Sequence, residues 1–283
     1  MALLKRPKVL IGFSLSLVIS AGLGITAVPS WIWQRASEPK EIKTMLAVLE
    51  RLSRHNDLGN RPINFMVVSG FYAAAAAEER GFCKPDNCDF FAHLNPYRQY
   101  NNGWNELMRQ AYAFGDIQAW TFSTGTIAIP QATFRAYGDH NGYLACTVSH
   151  EIAHFKRDHV FRESYHHAHN LDDVDEARKT IESRRYSRKQ ELEADRDAAD
   201  MVARAGFPAR ACQSDITFSY RSTGDGSATT DDSTHPGYDD RLAAMTKHYD
   251  ALETKPLQPE TGPAALMRYD SDANLLVVLP QKR

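Results

Sequence analysis

Residues 142–159 read GYLACTVSHEIAHFKRDH. Leu144, Val148, Ile152 and Phe155 recur at helical spacing, so the stretch is a helix, with Asn141 or Asp139 placed to cap it. Side chains four apart on a helix share a face. His150 and His154 therefore point the same way as an H-E-x-x-H pair, and both can grip one Zn2+. Glu151 stands beside them, where it can polarise water at the metal. Cys146 precedes His150 by one turn on the same face.

A catalytic zinc takes three protein ligands and keeps a fourth position open. The extension H-x-x-G-x-x-H is absent, because Arg157 stands where the glycine belongs and His159 falls one residue short. The third ligand must come from a separate helix. Residues 184–208, RRYSRKQELEADRDAADMVARAGFP, supply one: Ser187 and Gln190 read as an S-x-x-Q capping box, and Gly206 with Pro208 as a stop. Glu191 and Asp195 lie four apart on one face of it. Glu191 suits the third ligand. Asp195 suits a hydrogen bond to the outer nitrogen of a ligand histidine, which fixes its tautomer. Glu193 projects to the other side, toward solvent.

HEIAH at 150–154, ELEAD at 191–195 and STHPGYDDR at 233–241 together resemble the zinc metallopeptidases that include the CAAX prenyl endopeptidase, the heat-shock protease HtpX and the β-barrel-assembly-enhancing protease. The resemblance spans roughly 115–250. It implies one zinc per chain on His150, His154 and Glu191, Glu151 as catalytic base, and Asp195 supporting a ligand. It implies His235 and Arg241 near the metal. There they would stabilise an oxyanion, or His235 would instead occupy the open position and hold the enzyme off. QAWTFSTGTIAI at 118–129 is similar to the family's strand before the zinc helix. That likeness implies a substrate-binding edge along Gly125, Thr126, Ile127, Ala128 and Ile129, where an extended peptide adds by β-augmentation.

Outward from this centre, Ser37 caps a helix over 38–54, and INFMVV at 63–68 reads as a buried strand. FYAAAAAEER at 71–80 is helical, since alanine is the best helix former. Residues 81–104 form a structured loop, and 106–114 a short helix. The span 222–234 is a surface loop, 241–252 a helix and 275–279 a strand. The class expected is α+β, mostly helical: a zincin-like metallopeptidase domain with a small sheet over 35–283, preceded by one N-terminal apolar helix within 1–34.

That N-terminal segment carries Lys5, Arg6 and Lys8 ahead of an apolar run, 9–28. A basic flank before such a run is a signal peptide or a single membrane anchor, and it sends the rest of the chain outward. No clean A-x-A site follows the run, and Trp31 and Trp33 sit where an interfacial belt lies, which favours an anchor in the inner membrane over cleavage. In the periplasm, Cys83 can pair with Cys88 and Cys146 with Cys212, one of three connectivities open to four cysteines. A net charge of −2 argues against a nucleic-acid partner. The expected activity is that of an exported zinc metalloendopeptidase on polypeptide substrates, such as unfolded or misassembled envelope protein. The rival is a chaperone-like polypeptide-binding module with a latent zinc site.

Overall fold

The computed structural model describes residues 38–84, 95–100, 103–171, 174–224, 226–260 and 262–281. The apolar run at 9–28, Trp31, Trp33, the Ser37 cap and Cys88 lie outside the described residues. Glu38–Arg283 make one compact unit, and no helix among the described residues is long and apolar enough to cross a membrane.

The elements run, in chain order, α1 Lys40–His55, β1 Ile63–Val68, α2 Phe71–Glu79, α3 Gly103–Phe114, β2 Trp120–Thr121, β3 Thr126–Pro130, α4 Gln131–Tyr137, α5 Asn141–Lys156, α6 His159–Tyr165, α7 Glu176–Arg204, α8 Ala211–Thr223, α9 Tyr238–Thr254, β4 Leu266–Asp270 and β5 Leu275–Leu279, with a π-turn at His166–Asn170 between α6 and α7. The protein is α+β and mostly helical. Its sheet has the order β2-β3-β1-β5-β4. β1 and β3 are parallel, and the other pairs are antiparallel.

Strand side chains alternate between faces. Ile63, Phe65 and Val67 of β1, with Ile127 and Ile129 of β3 and Leu276 and Val278 of β5, join the main core beneath the helices. Met66, Val68 and Ala128 face the other way, against Trp120 and Leu275. Burial on both faces explains why β1 reads as a continuous apolar run rather than an alternating one. A separate small cluster of Ala73, Ala77, Leu107 and Ala111 joins α2 to α3.

Helix α5 is the centre of the core. Leu144, Val148 and Ile152 are essentially inaccessible, each burial being favourable by about 1.5–3 kcal/mol. Its N-cap is His140, which makes no side-chain cap bond, so neither Asn141 nor Asp139 caps it as the sequence suggested. A disulfide joins Cys146 to Cys212 of α8, with Cα atoms 5.2 Å apart. The pairing proposed for Cys83 rests on Cys88, outside the described residues.

Helix α7 starts earlier than its sequence signals indicate. Asp175 is the N-cap, and its side chain accepts a 3.0 Å hydrogen bond from the Arg178 backbone. Ser187 is therefore mid-helix, and Gln190 is buried, donating to the His159 carbonyl at 3.2 Å. The first turns were missed because 176–186 is polar on most sides and shows no apolar stripe. The stop holds: the helix ends at Arg204, and Gly206 takes φ +68°.

Candidate metal centre

Helix α5 sets His150 and His154 on one face, and α7 crosses it with Glu191. The two Nε2 atoms are 3.0 Å apart. Glu191 places Oε2 at 3.2 Å from His150 Nε2 and Oε1 at 3.3 Å from His154 Nε2. Ligand atoms of all three residues lie within 4.8 Å of one another, and among the described residues no other trio of histidines, cysteines or acids does so. Glu191 is buried, and its Oε2 makes no hydrogen bond. It faces His150 Nε2 without hydrogen-bond geometry, and a buried carboxylate oxygen without an aligned donor is costly. A divalent cation between two imidazole nitrogens and that oxygen resolves the cost, so the donor set fits zinc.

Asp195 lies one turn beyond Glu191 on α7. Its Oδ1 is 3.0 Å from His150 Nδ1, so His150 donates there and keeps its Nε2 toward the triad. Arg241 of α9 grips the same carboxylate with both arms, Nε to Oδ2 at 2.8 Å and Nη2 to Oδ1 at 2.6 Å. Two fork nitrogens are thus committed to Asp195. Arg241 thereby ties α9 to the carboxylate of α7 that faces His150. Glu193 also departs from expectation. It is only partly exposed, and it lies 3.4 Å from the Nε2 of His159.

Glu151 is buried beside the triad. The Thr121 hydroxyl lies 2.6 Å from its Oε2 and 2.9 Å from its backbone carbonyl. Thr121 escaped the sequence reading because its contact crosses from β2 to α5, and only the pairing of Thr121 with Ile127 shows that it faces the helices.

The edge expected at Gly125–Ile129 is not an edge. β3 is paired on both sides, with β1 and with β2, and Ile127, Ala128 and Ile129 are fully buried. Gly125 serves the β2–β3 turn. It takes φ +83°, and a Cβ there would meet the Phe155 ring at 2.7 Å. The outermost strand on that side is β2, whose pairing the sequence could not display.

His235 lies at the mouth of the site. Its ring is well exposed, with Nε2 3.6 Å from Glu191 Oε2 and Nδ1 3.0 Å from the Thr234 hydroxyl. The loop behind it is held to α7: Arg184 and Arg188 donate to the carbonyls of Asp232 and Ser233.

Charge is unevenly shared among these side chains. Burial opposes a charge on His150, but its contacts with Asp195 and Glu191 outweigh burial and push its pKa up to about 10. Burial and the neighbouring His150 charge pull His154 down to about 3. Burial works against ionised Glu191, yet the His150 contact holds it at about 2. Asp195 is likewise buried, and Arg241 and His150 keep it ionised well below the usual range. Burial raises Glu151 above an ordinary carboxyl, the direction a general base near neutrality needs.

No curated protein and no solved structure matches the chain. A family model does, over 175–249. That segment holds Glu191, Asp195 and Arg241, while His150, Glu151 and His154 lie just before it. Through this match and the assembled triad, the chain is similar to Peptidase family M48, the metallopeptidase family that its motifs resemble.

Proposed function

We propose that the protein is an exported zinc metalloendopeptidase that hydrolyses peptide bonds in extended polypeptide segments. The observation that carries this reading is the convergence of His150 Nε2, His154 Nε2 and an otherwise unbonded, buried Glu191 oxygen next to the Glu151 carboxyl. These three residues would hold one Zn2+ per chain. Bound zinc supplies a Lewis acid and makes water acidic enough to react near neutral pH. The side chains do the rest. Glu151 takes a proton from the attacking water and returns it to the leaving amine. Thr121 holds that carboxyl in place. Asp195, steadied by Arg241, keeps the His150 ring in register.

The basic and apolar N-terminus and the Cys146–Cys212 disulfide support export, because disulfides persist in oxidising compartments. We place the protein in the periplasm, anchored through 9–28 or soluble after cleavage, acting on unfolded or misassembled envelope proteins by analogy with the family.

The position of His235 over Glu191 favours one rival, a polypeptide-binding module whose site stays latent. Metal content and casein cleavage separate the two. The enzyme reading expects one zinc per chain, loss of zinc in His150→Ala, cleavage abolished by chelator and restored by Zn2+, and a changed rate in His235→Ala. Zinc-loaded wild type and His235→Ala that both leave casein intact would overturn it.

A further inference from the structure

His154 turns Nε2 to the triad, so its outer nitrogen is Nδ1. That atom lies 3.0 Å from Nδ1 of His159. His159 is 1% exposed. The chain reverses at Asp158, which takes φ +54° and is held by Arg61 at 2.6 Å, so α6 doubles back and delivers His159 to the triad's flank. His159 Nε2 lies 3.4 Å from Glu193 Oε2. Glu193 in turn has the Arg157 and Arg162 guanidinium groups 4.0 Å away.

Two facing ring nitrogens at this distance share one proton. When His154 lends its Nε2 lone pair to a cation, neutral His154 must carry its proton on Nδ1. His159 must then accept on Nδ1, keep its own proton on Nε2, and aim it at Glu193. This neutral arrangement gives His154 Nδ1 an acceptor and leaves the buried His159 Nε2–H, which makes no hydrogen bond among the described residues, with the Glu193 carboxylate 3.4 Å away. We propose that His159 and Glu193 are positioning residues: together they fix the tautomer and ring plane of His154, as Asp195 does directly for His150. The inference rests on the triad being a metal site. Every acid of ELEAD then has its own role, with Glu191 as ligand, Asp195 behind His150, and Glu193 behind His154 through His159.

The test is Zn2+ affinity of the full chain, measured by competition with a chromophoric chelator, with Co2+ absorption as the spectroscopic readout. His159→Phe keeps a ring in the space but has no nitrogen. Glu193→Leu removes the acceptor, and Glu193→Gln retains one. Loss of such an outer partner weakens metal binding by about 10–100-fold. That loss is expected in His159→Phe and in Glu193→Leu, with a shifted Co2+ spectrum, while Glu193→Gln recovers most of the affinity. The double variant His159→Phe/Glu193→Leu should bind no more weakly than His159→Phe alone, because both break one chain of contacts. Wild-type affinity in His159→Phe, or losses that multiply in the double variant, would overturn the proposal while leaving the metal site standing. A wild type that takes up no Zn2+ would overturn the metal site itself, and this inference with it.

Discussion

Arg241 and Asp195 form a two-pronged ion pair in which the carboxylate is 8% exposed and the guanidinium 24%. Removing the arginine strands a buried charge, which is worse than losing a surface pair. Arg241→Ala should lower stability by about 2–3 kcal/mol and weaken Zn2+ binding. Arg241→Lys should recover only part of either, since an ammonium cannot fork. Urea unfolding and metal competition check this; an unchanged metal affinity in Arg241→Ala would remove the positioning role. Asp215 on α8 is a different case. Burial, opposed by the Tyr137 and Thr147 hydroxyls, raises its pKa to about 7, and its Oδ1 has no hydrogen-bond partner among the described residues. A carboxyl raised in the folded state favours folding while protonated, and that advantage disappears as pH climbs through the folded value. Asp215→Asn should therefore gain stability over wild type progressively from pH 5 to 8 in the metal-free protein. Melting curves across that range read it, and a gap that does not change with pH would contradict it.

At the scale of elements, the centre depends on how α5 is held. Its disulfide to α8 closes a span of 66 residues, and a loop of that size is stabilised by about 4 kcal/mol in the chain-entropy account. The double substitution Cys146→Ala/Cys212→Ala should cost stability on that scale and should loosen the end of α5 that precedes His150. Chemical unfolding measures the cost; a loss under about 1 kcal/mol would mean that packing alone holds the two helices. The legibility of the sequence divides along the same line. His150, Glu151, His154 and Glu191 were readable because each sits at a fixed spacing within one helix. The edge assigned to Gly125–Ile129 failed because a strand does not reveal its neighbours, and β2 pairs where no local signal marks it. The partner that the Arg241 fork takes, Asp195, is settled by the packing of α9 on α7, which no local spacing displays. His159 looked like a misplaced ligand because its contacts join α5, α6 and α7.

Across the whole molecule, the arrangement places the chemistry where three helices meet under a small sheet. α5 brings His150, His154 and Glu151, α7 brings Glu191, Glu193 and Asp195, and α9 brings Arg241. The segment similar to Peptidase family M48 covers α7, α8 and most of α9, so the shared part is the frame around Glu191, while α5 completes the site from outside it. The proposed function turns on Glu151 being the proton carrier of a metal-dependent hydrolysis. The most direct measurement is the rate of casein cleavage by zinc-loaded wild type and zinc-loaded Glu151→Gln, with the metal content of each sample determined alongside. One zinc in each chain and a rate reduced by about 10²–10⁴-fold in the variant is the result predicted; cleavage by Glu151→Gln at the wild-type rate would contradict it.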